Sequence, residues 1–261
     1  LLIAITREVS PSIRQCELTH MLRQEIDVEL ARSQHLQYEG VLRDLGCQVR
    51  RLSVEPNLPD SVFVEDTAIV LNELAIITRS GAASRREETR NVAEALKEYR
   101  TTFHMVSPGT LDGGDVLQIG KTLYVGITSR TNESGIQQLM EFVSPYEYKV
   151  EPVQVEGCLH LKSAVTLVRE DTLLISRSWV DTKPFGSKEY IDIDPTEPFA
   201  ANALLVSGEL VYPTIFPKTL RRLKDKGISV RVVDVSELQK AEGAVTCCSL
   251  IFEEKWPDKT D

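Results

Sequence analysis

The chain has 261 residues, of which 42% are apolar and 26% charged, with a formal net charge of -9. The acidic balance argues against a nucleic-acid surface, which needs clustered Lys and Arg. No apolar run approaches the ~20 residues of a membrane span. Five cysteines without paired spacing do not form a disulfide framework, and the lack of CxxC or HxxxH argues against a dedicated zinc site. Leu1 to Ile5 is too short for the core of a secretory signal, and the unpaired cysteine spacing makes a reducing cytosol the expected compartment. No Pro/Gly/Ser-rich linker divides the chain. A single domain spanning residues 1–261 is therefore expected, with a tail from about residue 254 peripheral to it.

In chain order, Leu2 to Thr6 reads as a strand. Pro11 to Glu25 has no clean period, and a connection of that length is often a functional lid. A helix is predicted over Ile26–Leu45 from the apolar positions Val28, Ala31, Leu36, Val41 and Leu42, with Gly46 just past its end. A strand follows over Val49–Val54. Next comes a hairpin, Thr67–Val70 and Leu74–Ile77, and then a helix from Ser84 to Tyr99. Glu87 lies three residues after Ser84, a capping-box spacing. A strand over Phe103–Val106 completes the unit.

The same order recurs. Asp115–Leu117 and Leu123–Val125 form a hairpin, Glu133–Val143 a helix opened by Asn132 or Thr131, and Tyr148–Val153 a strand. Hairpins also read over Ser163–Leu167 with Leu173–Ile175, and over Ala203–Val206 with Leu210–Tyr212. Pro217 opens a helix over Lys218–Lys226, closed by Gly227, and Val230–Val233 is a strand. The hairpins start 49, 48 and 40 residues apart, at Asp66, Asp115, Ser163 and Ala203. A repeat of that length signals stacked or radially arranged units. A fifth copy is split between the ends: Cys248–Phe252 supplies its first strand and Leu2–Thr6 its second. Five ββαβ units joined in this way close a ring, and closure protects sheet edges.

In such a ring the first strands begin on one face. At or just before their starts stand Glu65 and Asp66, then Asp112, His160 and Cys247. A thiol, an imidazole and carboxylates converging on one mouth suit a nucleophilic cysteine acting on a cationic carbon. Each residue has a duller reading. A cysteine is most often a buried structural thiol; Cys248 is expected to take that role, on the other side of its strand. His160, between apolar neighbours, could be a satisfied core histidine, yet its unperturbed pKa of ~6.5 suits an acid/base. Asp115, after Gly113-Gly114, is expected to serve the turn. Adjacent carboxylates such as Glu65 and Asp66 are costly to bury without a cation, and a guanidinium is a fitting one. Arg79, Arg85, Arg86 and Arg130 lie in loops leaving second strands; most surface arginines are merely solvated, and one or two of these could instead fork onto a substrate carboxylate.

Together these pieces resemble the dimethylarginine dimethylaminohydrolase family of the guanidine-modifying, or pentein, superfamily. The resemblance runs from about Arg7 to Phe252. It is carried by Asp60-Ser61-Val62-Phe63-Val64-Glu65-Asp66, Ile76-Ile77-Thr78-Arg79, Ser84-Arg85-Arg86-Glu87, Asp112-Gly113-Gly114-Asp115, Arg130-Thr131-Asn132, Leu159-His160-Leu161-Lys162, Ala200-Ala201-Asn202 and Thr246-Cys247-Cys248-Ser249. It implies a five-bladed α/β propeller that hydrolyses Nω-methylated arginine to citrulline. It implies Cys247 as nucleophile, His160 as general acid/base and Asp112 as the carboxylate orienting it. By the same resemblance Glu65 and Asp66 fall in the substrate site, Asp66 holding the guanidinium. Arg85 and Arg130 meet the α-carboxylate, Asp60 the α-amino group, and Leu18 and Ala241 touch substrate through their backbones. Ala241-Glu242 departs from the bulky-residue-then-Asp pair usual there. No cofactor and no resident metal is implied, although zinc can inhibit by capturing the thiolate. The expected partner is a small-molecule substrate, not nucleic acid or membrane; monomer and homodimer both stay open. Related chemistries are those of arginine deiminase, which usually carries an added helical domain for which the short connection between the first and second copies leaves no room, and of the longer amidinotransferases. A nonenzymatic propeller that only binds an amino acid is the alternative of a different class.

Overall fold

Alternating apolar residues on either side of short polar turns make hairpins, and hairpins are the recurring element of the structure. The computed structural model describes residues 1–254; the tail expected to be peripheral lies almost wholly outside them. In chain order the elements are β1 (Leu2–Arg7), α1 (Val28–Asp44), β2 (Cys47–Leu52), β3 (Ala68–Val70), β4 (Leu74–Ile77), α2 (Thr89–Leu96) and β5 (Thr101–His104). Then come β6 (Val116–Ile119), β7 (Thr122–Ile127), α3 (Glu133–Val143), β8 (Lys149–Gln154), α4 (Leu161–Ala164), β9 (Val165–Arg169), β10 (Thr172–Ile175) and β11 (Glu189–Asp192). The last are β12 (Leu204–Val206), β13 (Glu209–Pro213), α5 (Pro217–Asp225), β14 (Val230–Val233), α6 (Ser236–Gln239) and β15 (Leu250–Glu253).

The strands form five three-stranded sheets, ordered β15-β1-β2, β3-β4-β5, β6-β7-β8, β9-β10-β11 and β12-β13-β14. In every sheet the central strand pairs antiparallel with the first strand and parallel with the third. A parallel partner needs a crossover, and the helices α1, α2, α3 and α5 supply it in four sheets. In the β9-β10-β11 sheet the crossover contains only a 3-10 turn, Lys183–Phe185. Gly186, at a φ of 67°, ends that short turn. The missing helix accounts for the shorter spacing of the hairpins at this point.

The termini meet as expected, with Leu2 opposite Glu253 and Ile5 opposite Leu250. Five apolar clusters fill the spaces between sheets. Each draws on two sheets adjacent in order, as where Ile69 and Ile76 of β3 and β4 meet Val116 and Val125 of β6 and β7. The cluster containing Val211 and Ala4 links the β12-β13-β14 sheet back to the sheet holding both ends. The architecture is a five-bladed α/β propeller.

Two helix details differ from expectation. Ser84 does not cap a helix. Ala83–Glu88 is a 3-10 segment without a side-chain cap, and the Ser84 hydroxyl meets Glu17 instead. In α1, Leu36 is exposed, and the buried face is Ala31, Gln34, His35, Tyr38, Glu39 and Leu42. Tyr38 on this face donates to the carbonyl of Val245 at 2.8 Å and pairs with the Ser249 hydroxyl at 2.7 Å. It thereby braces the turn that carries Cys247 from behind.

Candidate active site

The chemistry-bearing residues do not sit on the strands. They sit on or just before the tight turns that precede the first strands: Asp66 within Val64–Thr67 before β3, Asp112 just ahead of Gly113–Asp115 before β6, and His160 just ahead of α4 before β9. Such turns place side chains at the propeller axis. Asp66, Asp112 and His160 are each buried there, while Cys247 is half-buried. A cavity is lined by Asp60, Asp66, Arg85, Arg130, His160, Ala241 and Cys247, joined by Glu17, Phe63, Leu159, Glu242 and Gly243.

Hydrogen bonds fix the ionisable groups. His160 Nε2 lies 3.1 Å from Asp112 Oδ2 and 3.8 Å from Asp66 Oδ1. Asp66 also accepts from the Gly114 amide at 3.0 Å. A Cβ at Gly114 would fall 2.7 Å from His160 Nδ1 and 2.8 Å from Asp66 Oδ1, so only glycine fits between them. Asp115 serves the turn, as expected: it accepts from the Thr128 and Thr131 hydroxyls and from the amide of Leu161. Through Leu161 it anchors the residue after His160.

Burial opposes charge on His160, but Asp66, Asp112 and Asp115 outweigh it and push the pKa up to about 9. Burial likewise opposes charge on Asp66, and His160, Arg85 and Arg130 reverse that, lowering it to about 2. The Cys247 thiol is pushed up to about 12, first by burial and then by the Glu65 and Asp66 carboxylates. The site therefore holds a neutral thiol beside an imidazolium–carboxylate pair.

The two arginines are held differently. Each of the three nitrogens of Arg85 donates within the protein, to Asp66 at 2.7 Å, to Glu88 at 2.9 and 3.2 Å, and to the carbonyls of Asp60 and Phe63. Arg130 makes two long contacts, to Asp112 at 3.5 Å and to the Thr19 hydroxyl at 3.3 Å. Asp60 accepts from the Glu17 amide at 3.1 Å, and burial, partly offset by Arg85, raises its pKa. Arg79 and Arg86 are not among the cavity residues; each donates to a backbone carbonyl.

Two expected substrate contacts are not brought to the cavity wall. Leu18 packs against the apolar cluster around Val9 and Cys16, and its neighbour Glu17 faces the cavity. Glu65 turns to the other side, where Lys162 and Thr246 take up its carboxylate, both at 2.7 Å. In a 3-10 turn successive side chains diverge by a third of a turn, so Glu65 and Asp66 cannot face one way. Glu88 escaped the sequence reading; its i+3 spacing from Arg85 in a helical stretch was the available signal.

Asp66, Asp112 and His160 offer three ligand atoms within 4.8 Å of one another, the set that could hold a metal ion. Arg85 and Arg130 already pair with these two carboxylates. That fixed positive charge favours a ligand of low charge, such as a guanidinium, over a divalent ion.

Residues 13–185 match the family model described as N,N dimethylarginine dimethylhydrolase, eukaryotic. The chain belongs to the dimethylarginine dimethylaminohydrolase family. The family's N(G),N(G)-dimethylarginine dimethylaminohydrolase of Streptomyces coelicolor is 39% identical over 252 residues, covering 96% of this chain and 97% of that protein. A solved structure from Pseudomonas aeruginosa, a cysteine-to-serine variant complexed with citrulline, superposes with a TM-score of 0.90 at 31% identity, covering 95% of this chain and 98% of that one. A histidine-to-glycine variant of a dimethylarginine dimethylaminohydrolase, an adduct with S-methyl-L-thiocitrulline, gives the same TM-score of 0.90 and the same coverage at 31% identity. Among the described residues, no helix is long and apolar enough to cross a membrane.

Proposed function

We propose that this chain hydrolyses Nω-methylated arginines to citrulline, releasing methylamine or dimethylamine. The observation that carries the reading is a single cavity lined by Cys247, Asp66, Asp60, Arg85, Arg130 and His160, the last held by Asp112. A substrate guanidinium on Asp66 cancels part of the negative field that holds the Cys247 thiol neutral, which favours release of the thiol proton to solvent and leaves the thiolate. The thiolate attacks the guanidinium carbon. His160, as imidazolium, gives its proton to the departing amine as the C–N bond breaks, leaving an S-alkylthiouronium on Cys247. The neutral imidazole then takes a proton from water, whose oxygen attacks the same carbon and displaces the thiolate. Asp112 orients the ring through both states.

At the amino-acid end, Arg130 meets the α-carboxylate and Asp60 the α-amino group. Arg85 adds its charge to that end while fixing Asp66. Glu17, with Leu18 beside it, belongs to a cover formed by residues 11–25. A reducing cytosol is part of the reading, since all five thiols are unpaired. The test is citrulline release from asymmetric dimethylarginine, monomethylarginine and arginine. Higher kcat/KM for the methylated compounds supports the reading. A preference for arginine would make the chain a deiminase, and no release from any of them would leave a binding propeller.

A further inference from the structure

Beneath Cys247 lies a closed ring of hydrogen bonds that the mechanism above does not use. The Asn202 amide donates from Nδ2 to the Thr246 hydroxyl at 2.9 Å, and its Oδ1 accepts from the Thr246 amide at 3.1 Å. The Thr246 hydroxyl donates to Glu65 Oε2 at 2.7 Å. Lys162 Nζ donates to the other oxygen of Glu65 at 2.7 Å, and Asn202 Nδ2 returns to the carbonyl of Lys162 at 3.1 Å. The direction of each bond is fixed by chemistry: a carboxylate only accepts, an amide nitrogen only donates, and the hydroxyl does both. Asn202, Thr246 and Glu65 are all buried.

The ring also grips the nucleophile's backbone. The Glu65 amide donates to the Cys247 carbonyl at 3.1 Å. Thr246, one residue before, is held at its amide and at its hydroxyl. Among the described residues, the side-chain partner of the Cys247 sulfur is distant, the Thr246 hydroxyl at 3.9 Å, and the backbone of Ala244 supplies its other hydrogen bond. Its place in the cavity is therefore set by the backbone on either side.

We propose that Asn202 and Thr246 are positioning residues for the Cys247 nucleophile, acting through this ring and Glu65. The inference rests on the proposed function for its substrate but not for its geometry. Glu65 turned from the cavity is then not a substrate ligand. It is the anchor that ties the cysteine turn to the turn bearing Asp66. The Thr246 hydroxyl also spends its proton on Glu65 and so screens that carboxylate from the sulfur. The other charges facing Cys247, on Asp60, Asp66, Arg85, Arg130, His160, Glu17 and Glu242, lie outside the ring.

The experiment compares the full chain with Thr246→Val and Thr246→Ser. Two quantities are read: kcat and KM for asymmetric dimethylarginine, and the rate of Cys247 alkylation by iodoacetamide at fixed pH, followed by peptide mass. Thr246→Val keeps the shape and loses the hydroxyl. Its kcat is expected to fall by about 10- to 100-fold, the scale of a small misplacement of a reacting group, with KM within about threefold. Alkylation is expected to slow by about threefold or more, because an unscreened Glu65 opposes the thiolate. Thr246→Ser restores the hydroxyl and is expected to stay close to the parent in both. The proposal is overturned if Thr246→Val matches the parent, if Thr246→Ser falls as far as Thr246→Val, or if KM rises in step with the loss of kcat. Should Thr246→Val fail to fold, Asn202→Ala is read the same way, and an unchanged kcat there overturns the proposal. A parent chain that alkylates at Cys247 yet releases no citrulline would sink the functional reading alone; the alkylation rates would still decide the ring.

Discussion

Arg85 and Arg130 line one cavity and were expected from sequence to do one job, yet their surroundings are opposites. Arg85 is embedded between Asp66 and Glu88, with every nitrogen engaged. Arg130 is buried but loosely tied, through long contacts to Asp112 and to Thr19 in the covering segment. A cation whose bonds are already made inside the protein organises its neighbours. A cation with poor internal partners gains most from a ligand's carboxylate. His160 stands between the two walls, nearer Asp112 on the Arg130 side than Asp66 on the Arg85 side.

The comparison breaks most visibly at Arg85. Arg85→Ala leaves Asp66 and Glu88 buried without their cation. Removing one partner of a buried pair costs ~3–5 kcal/mol, so urea unfolding should show a loss of that size, with activity lost too. A variant of parental stability would mean that Arg85 is not the organising charge.

Arg130→Ala should do the reverse. Its stability should stay within about 1 kcal/mol of the parent. Its kcat/KM for dimethylarginine should drop by the ~2–5 kcal/mol typical of losing a buried charged contact. For N-methylguanidine, which lacks the amino-acid end, the loss should be small. Equal losses for both compounds would assign Arg130 to the fold or to the chemical step.

The imidazolium between the walls makes a pH prediction. The folded-state pKa of His160 is about 9, above its ordinary value. The stability it contributes is fully present below ~6.5 and is lost as pH rises through about 9. Over the same range kcat/KM should fall, because the acid that serves the leaving amine is lost. His160→Asn should flatten the stability profile between these values. An unchanged profile would show that the ring is neutral in the folded chain.

The smallest effect concerns the cover. Glu242 accepts from three successive amides, those of Thr19, His20 and Met21, at 2.5 to 3.1 Å. Glu242→Gln should loosen that grip, raise KM by about threefold through poorer exclusion of water, and speed amide hydrogen exchange over residues 17–25. Citrulline should slow this exchange in the parent. Exchange indifferent to both would make the segment static scaffolding.

Much of this was legible in the chain. Four hairpins at near-regular spacing, and half a hairpin at each end, were enough to give five blades, because alternation and turn residues are local signals. The crossover without a helix was visible only as a shorter interval between Ser163 and Ala203. Cys247, His160, Asp66 and Asp112 were legible because they stand at equivalent points of a repeat. The orientation of Glu65 was not, since adjacent residues on a 3-10 turn part company only once the turn exists. The different fates of Arg85 and Arg130 were also hidden. Each depends on neighbours distant in sequence, Asp66 for one and Asp112 and Thr19 for the other, and no local pattern records such contacts.

The central claim is that Cys247 carries the reacting carbon. Rapid acid quench of the chain during turnover of asymmetric dimethylarginine, followed by intact and peptide mass measurement, tests it most directly. The account predicts a covalent adduct on the Cys247 peptide, retaining the arginine skeleton without its dimethylamine, that is absent from Cys247→Ser. Citrulline formed by a Cys247→Ser chain, or an adduct on another cysteine, would contradict it.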